Sequence, residues 1–368
     1  MKLKRVTAVL LAGVMAMGLV ACGSGSDTAA DTTTSTSTAT DTADDSESSD
    51  LLGSADATIH LKVGTTTAPD GHYVLGLVEM QKKLEEYSNG EMTLDIYPNS
   101  ALGGESDMMD AVSMGTQDMV LSSTGPIPDF SSATDNWATL DLPYLFETAE
   151  DAYKVLDGEI GQSLLDEFQG SGIKAIGFWE NGFRELTNNT KEVATPADLA
   201  GMKIRTMENA VHMATYTALG ATPTAMAWGE IFSALQQGTV DGQENPPVNI
   251  LNDKTYEVQK YMVLDKHIAS IVTFAISEKF LDSLPEDLQK VVTDAAETVT
   301  PEASEVCKKL NDEGVAKLEE YGMEVYTPTE AELEDWHSAM RQPCIDYVTG
   351  QVGEDVVNGL LTAIEQAN

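Results

Sequence analysis

The chain has 368 residues, 42% of them apolar and 22% charged, with 60 Asp and Glu against 21 Lys and Arg. That length allows two domains with sizeable cores. A formal net charge of −39 argues against nucleic acid as a partner and against tight binding to anionic lipid, and it reads as a solvated acidic exterior.

In chain order, Lys2, Lys4 and Arg5 open the sequence, and Val6 to Val20 is an apolar run too short to span a bilayer. Leu19-Val20-Ala21-Cys22, followed by Gly23, is similar to a bacterial lipobox, so residues 1–21 are expected to be a signal peptide and Cys22 the lipidated N-terminus. Residues 22–57 are rich in Ser, Thr, Ala, Gly and Asp. They offer too little apolar surface to offset their ordering entropy and read as a tether spanning roughly 30–35 Å.

The folded body is expected from Thr58. Thr58–Val63 alternates as a strand, Gly71–Tyr87 has apolar residues at helical spacing, and Met92–Tyr97 is a second strand stopped by Pro98-Asn99. A helix over Ser106–Met114 and a strand over Asp118–Leu121 complete a strand–helix alternation, the rhythm of a sheet covered by helices. The rhythm restarts after Gly172, with strands over Ile173–Glu180 and Arg184–Asn188. Thr195-Pro196-Ala197-Asp198 is a helix start, with Thr as N-cap and Pro at the first helical position. Then come a strand over Met202–Thr206, helices over Asn209–Leu219 and Trp228–Gln237, and strands over Val240–Gln243 and Ala269–Ser277. Leu284–Tyr321 is helical with a kink or break expected at Pro301, and a last helix covers Ala331–Val348. The expected class is α/β with two α/β units, the chain crossing between them more than once.

The candidate chemistry lies in the arginines. Arg5, Arg184, Arg205 and Arg341 are the only ones, and two of them fall between Gly182 and Met207. Arg184 follows a Gly182-Phe183 turn, and Arg205 stands at the carboxyl end of an apolar strand, where ligands gather in α/β sheets. A planar guanidinium holds a carboxylate bidentately. Two on neighbouring strands would make a carboxylate clamp; structural salt bridges, to Glu180 or Glu208 for instance, are the alternative. Asn245 ends a strand before Pro246-Pro247 and is either a third donor to the same carboxylate or a turn asparagine. No D-x-D-x-D-G loop, H-E-x-x-H or G-x-S-x-G motif occurs, so no metal, cofactor or catalytic residue is expected. Cys307 and Cys344 are spaced neither as a metal site nor as a redox motif, and the sequence leaves open a disulfide or two buried thiols.

Several ordered motifs carry a family resemblance. They are Tyr97-Pro98-Asn99-Ser100-Ala101-Leu102-Gly103-Gly104-Glu105, Leu140-Asp141-Leu142-Pro143-Tyr144, Gly182-Phe183-Arg184-Glu185-Leu186-Thr187-Asn188, Thr195 to Arg205, and Ala234 to Pro246. Together they resemble the DctP family, the extracytoplasmic solute receptors of TRAP transporters. The resemblance implies two α/β domains with a hinge and a cleft between them, and a long helix spanning both. It places domain I at 58–181 with about 268–305, and domain II at 182–267 with about 306–368. It further implies a small organic acid as ligand, TRAP permease subunits as partners, and an extracytoplasmic protein held to the bacterial cell membrane by its lipid alone. Arg205 matches the family's main carboxylate partner, with Arg184 and Asn245 assisting. His72 and Glu105 are candidate rim contacts to ligand hydroxyls. Glu208-Asn209 resembles the form of the motif in members that bind sugar acids (uronates or aldonates), which makes Asn209 a candidate hydroxyl contact or else a helix N-cap. Trp228 reads as a core or lid aromatic. The competing readings are an ABC-importer receptor, a surface enzyme acting on acidic sugars and an adhesin; the enzyme lacks a nucleophile motif.

Overall fold

The computed structural model describes residues 51–367, so the signal-peptide and Cys22 readings, and most of the tether, lie outside the described residues. Residues 51–57 do not continue a tether. The Ile96 N–H donates to the Leu51 carbonyl at 2.8 Å, the Gly53 N–H to the Asp95 carboxylate at 3.1 Å, and Leu51 packs on the core. The apolar Leu51-Leu52 pair supplies what the preceding Ser/Thr/Asp stretch lacks, a reason to dock.

The first lobe is built from β1 (Ile59–Gly64), α1 (His72–Tyr87), β2 (Met92–Tyr97), α2 (Glu105–Ser113) and β3 (Met119–Ser123). Then β4 (Ile173–Asn188) leads into β5 (Lys203–Thr206), α5 (Ala210–Ala218), β6 (Thr222–Ala225), α6 (Ile231–Gln236), β7 (Gly242–Asn245), a six-residue helix α7 (Pro247–Asn252) and β8 (Tyr261–Ser277). Here α3 (Ala149–Leu156) and α4 (Glu159–Asp166) precede β4, and α8 (Glu278–Ser283), α9 (Glu286–Glu320), β9 (Glu324–Tyr326), α10 (Glu330–Val352) and α11 (Glu354–Ala367) follow β8.

Among the described residues the strands form one nine-stranded sheet in the order β2-β1-β3-β8-β4-β7-β5-β6, with β9 on β8. It is the mixed α/β, two-lobed architecture expected. The lobes share strands rather than resting on separate sheets. The two expected strands 173–180 and 184–188 are one strand, β4, of 16 residues, and its antiparallel partner β8 has 17, eight of which precede the expected start at Ala269. At about 3.3 Å per residue each runs roughly 50 Å, long enough to serve both lobes. Register shifts at Gly177, Asn181 and Glu185 bend the pair.

One apolar cluster, with Leu61, Leu77, Leu94, Phe274 and Val292, fills the first lobe; another, with Leu186, Ile204, Tyr216 and Trp336, fills the second. Helix α9 runs 35 residues without breaking at Pro301 and packs on α1, β4, α7 and β9. Its buried face continues on both sides of the proline, from Leu288 through Val299 and on to Ala303, Cys307 and Leu318. Packing along that face outweighs the one hydrogen bond that proline removes. Helix α11 carries no helix-start signal such as Ser or Thr before it and lies beyond the last helix the sequence predicts; it packs on α10 and α3 and buries Val357 and Leu360. No helix among the described residues is long and apolar enough to cross a membrane.

Candidate functional site

Three strands lying side by side bring the candidate residues together. Arg184 is on β4, Asn245 closes β7 and Arg205 is on β5. The arginines are therefore not on neighbouring strands, because β7 runs between them. Nor does Arg184 begin a strand; it lies inside β4 just past Gly182, whose φ of +113° marks the register shift. Glu185 faces Asn245 across the β4–β7 ladder and Leu186 faces Glu244, so Arg184 and Glu244 are diagonal neighbours.

These three line a cleft of about 30 Å³ together with Thr66, Tyr73, Glu105, Ser123, Asn181, Met207, Trp228 and Asn249. That is room for about two water molecules. A wider cleft of about 570 Å³ lies alongside, lined by Ser106, Asp110, Asp129, Glu208 and Asn209 among others. Its charged lining is entirely acidic, so it offers an anion nothing, and the cationic chemistry belongs to the smaller cleft.

The two arginines are electrostatically unlike. Arg184, 1% exposed, is paired with the buried Glu244 through Nε and through Nη2, the latter 3.0 Å from Oε1. Nη2 also donates to the Glu244 carbonyl at 2.7 Å and Nη1 to the Ser270 hydroxyl at 3.3 Å. Burial alone would lower the Arg184 pKa, but the Glu244 charge and hydrogen bonds outweigh it and raise it. Burial would in turn raise Glu244; Arg184, His212 and His267 reverse that and hold it well below the usual carboxylate range.

Glu244 is the centre of a buried network. His212 Nδ1 is 3.6 Å and His267 Nε2 3.5 Å from its oxygens. His212 continues to Asp141 at 3.3 Å, and His267 to Asp265 at 2.9 Å. Both imidazoles are raised above their ordinary value, since these carboxylates outweigh burial; His267 reaches about 10. Arg184 thus enters the cleft already neutralised.

Arg205 makes no ion pair with any described residue. Its Nε and Nη2 donate to the Met226 carbonyl at 2.8 and 2.6 Å, and its carbon Cζ lies 5.7 Å from the centre of the Trp228 ring. Its Nη1 is buried without a hydrogen-bond partner among the described residues. Burial lowers its pKa to about 10, which leaves it charged at neutral pH. A buried, charged donor without an acceptor costs free energy that an incoming anion would recover.

The remaining candidates divide. Glu105 begins α2 and reaches the cleft wall, where one carboxylate oxygen accepts from the Ser123 N–H at 2.8 Å and the other from its hydroxyl at 2.7 Å. Burial raises its pKa against those hydrogen bonds. Asn245 donates to Gln243 Oε1 at 2.8 Å. His72 is not in the cleft lining. It stands behind it, with Nε2 2.9 Å from Asn181 Oδ1 and its ring against Tyr73, and burial lowers it to about 4, so it is neutral. Asn209 stands at the start of α5. Its Oδ1 caps α5 by accepting from the His212 N–H at 2.9 Å, while Nδ2 donates to the Gly125 carbonyl at 2.6 Å and to Asp141 at 2.7 Å. Its amide is committed inside the protein and lies outside the arginine cleft, so the rival reading as N-cap prevails. Trp228 packs against the apolar cluster of Ile231, Leu235 and Val240 and also lines the cleft over Arg205. Cys307 and Cys344 are free and buried.

Glu244, Tyr73, Asn181 and Asn249 were not singled out from the sequence. Glu244 was the most legible of them: a carboxylate inside a strand that ends at a candidate site needs a buried cation.

Comparison with known proteins agrees with this architecture. The family model for bacterial extracellular solute-binding protein, family 7 (DctP), matches residues 63–348. A solute-binding protein of Verminephrobacter eiseniae is 40% identical over 272 residues, which is 74% of this chain and 80% of the relative. The structure of a TRAP periplasmic solute-binding protein from Polaromonas sp. JS666 bound to D-erythronate superposes with a TM-score of 0.78 at 37% identity, covering 82% of this chain and 98% of that one. That of a TRAP periplasmic solute-binding protein from Sulfurospirillum deleyianum with bound succinate gives 0.79 at 31% identity, over 83% and 98%. These are transport receptors and not enzymes. The chain belongs to the DctP family of bacterial extracellular solute-binding proteins.

Proposed function

We propose that this protein is the extracytoplasmic receptor of a TRAP transporter, that it binds one small hydroxylated monocarboxylate, and that it delivers the ligand to an ion-gradient-driven permease. The observation that carries this reading is the partnerless Nη1 of Arg205 in a cleft whose other cation is already held by Glu244. One cation without an ion-pair partner calls for one carboxylate. A second carboxylate, as in a C4-dicarboxylate, would meet Glu105 and neutral amides. In this reading Arg205 is the principal partner. Arg184, held in place by Glu244, and Asn245 support the same carboxylate, and Glu105 accepts from a ligand hydroxyl. The D-erythronate in the Polaromonas relative is an acid of this class. The cleft is too small for such a ligand as it stands, so entry requires the lobes to part and closure to expel water around the ion pair. Cys22 would carry the lipid that keeps the receptor at the membrane.

A thermal-shift screen of organic acids tests the reading. Ligand at about a thousand times its dissociation constant adds roughly 4 kcal/mol of stability. Hydroxylated monocarboxylates are expected to raise the melting temperature and Arg205→Ala to abolish the shift while the variant stays folded. Shifts that survive Arg205→Ala, or no shift with any acid, would sink it.

A further inference from the structure

Two buried polar atoms on residues lining the arginine cleft lack a hydrogen-bond partner among the described residues, and they are of opposite kinds. One is the donor Arg205 Nη1; the other is the acceptor Oδ1 of Asn249, a residue only 6% exposed. Asn249 lies in α7, four residues beyond Asn245, and Pro246-Pro247 fixes the exit from β7 that brings it there. The nitrogens of the other cleft amides are engaged. Asn181 faces His72 through Oδ1 and donates through Nδ2 to the Ser270 hydroxyl, both at 2.9 Å, and Asn245 donates to Gln243.

A carboxylate satisfies Arg205 Nη1 but does nothing for Asn249 Oδ1, because it has no hydrogen to donate. A hydroxyl on the same ligand does. We infer that Asn249 is a specificity-determining residue whose amide oxygen accepts a hydrogen bond from a ligand hydroxyl, so that the site selects hydroxy acids over the unsubstituted acids of the same chain length. This rests on the carboxylate reading of the cleft and extends it to the substituent. An acid without the hydroxyl leaves the Asn249 oxygen desolvated and unpaired. Sites built to pair a hydroxyl reject analogues that lack it, and one such neutral bond is worth a discrimination of about ten- to a hundredfold.

The test is calorimetric titration of the intact receptor with matched pairs: glycerate and propionate, D-erythronate and butyrate, gluconate and hexanoate. Wild type is expected to prefer the hydroxylated member of whichever pair it binds. Asn249→Leu, close in size and without an acceptor, should cut the preference for the hydroxylated member of a pair about ten- to a hundredfold; Asn249→Ala replaces it if the leucine variant fails to fold. Arg205→Ala should remove both members together. A wild type that does not discriminate within a pair, or an Asn249 variant that weakens both members equally or neither, overturns the role of Asn249 while the clamp stands. Failure of wild type to bind any carboxylate, or binding that survives Arg205→Ala, overturns the reading beneath it.

Discussion

At the scale of single residues, buried charges at the cleft fall into two kinds, and substitution should separate them. Arg184→Ala would strand Glu244 without its main cation in the interior. Breaking a buried pair from one side costs about 3–5 kcal/mol, so a loss of that size is expected in denaturant unfolding of the ligand-free protein. Arg205→Ala breaks no ion pair, since Arg205 has none among the described residues, and its cost should be visibly smaller. Equal losses for the two variants would contradict the asymmetry. His267 adds a pH dependence of known sign. Its folded pKa, about 10, lies above the unfolded value of about 6.5. The stability it contributes is therefore complete below about pH 6.5 and is lost as pH rises toward 10. The melting temperature should fall across that window in wild type, and the fall should be shallower in His267→Gln; parallel profiles would remove His267 from the network. The sequence made Arg205 legible as a candidate through its place at a strand end. It could not reveal that Arg184 is neutralised, because Glu244 lies 60 positions away and meets it only through the β4–β7 ladder.

At the scale of elements, the positions of the arginines depend on how β4 bends. Gly182 has a left-handed φ, and a Cβ built there would lie 2.3 Å from Asn311 Nδ2. Asn311 reaches back from α9, donating to the Asn181 carbonyl at 3.0 Å and accepting from the Val248 N–H at 3.1 Å. It thereby ties α9 to β4 and to α7. Gly182→Ala combines backbone strain with displacement of Asn311. A loss of about 1–3 kcal/mol is expected, together with weaker ligand binding as Arg184 and Asn249 shift. Unchanged stability and affinity would show that the bend is not what sets the site. The sequence places a turn between two strands at Gly182, and the glycine does break the regular geometry. The strand continues through it because β8 pairs on both sides, and such cross-strand support is invisible in a local window.

At the scale of the whole molecule, the acidic surface and the cleft obey different rules. A formal charge of −39 would repel an anionic ligand, but at physiological salt the screening length is about 8 Å. Distant surface charge is damped while the buried Arg205 is not. Raising the salt from low to physiological should therefore speed association more than it changes dissociation, which stopped-flow kinetics would check; an on-rate indifferent to salt would mean that the surface charge plays no part. The proposed anchor is also a property of the whole chain. Cys22→Ser should move the receptor from the membrane fraction to the soluble one, and a variant that stays with the membrane would rule out the lipid as its tether.

By itself the sequence determined the α/β class, the strand–helix rhythm, the family and the three residues Arg184, Arg205 and Asn245 that share the cleft, since each leaves a local mark in periodicity, strand-end placement or ordered motif. The tertiary structure alone decided how these residues are charged and which atoms remain free to bind. It paired Arg184 with Glu244, committed Asn209 to a helix cap and left Arg205 Nη1 and Asn249 Oδ1 without partners among the described residues. The reason is physical: whether a buried polar group is satisfied depends on neighbours distant in sequence, and no periodicity along the chain records which of them arrive.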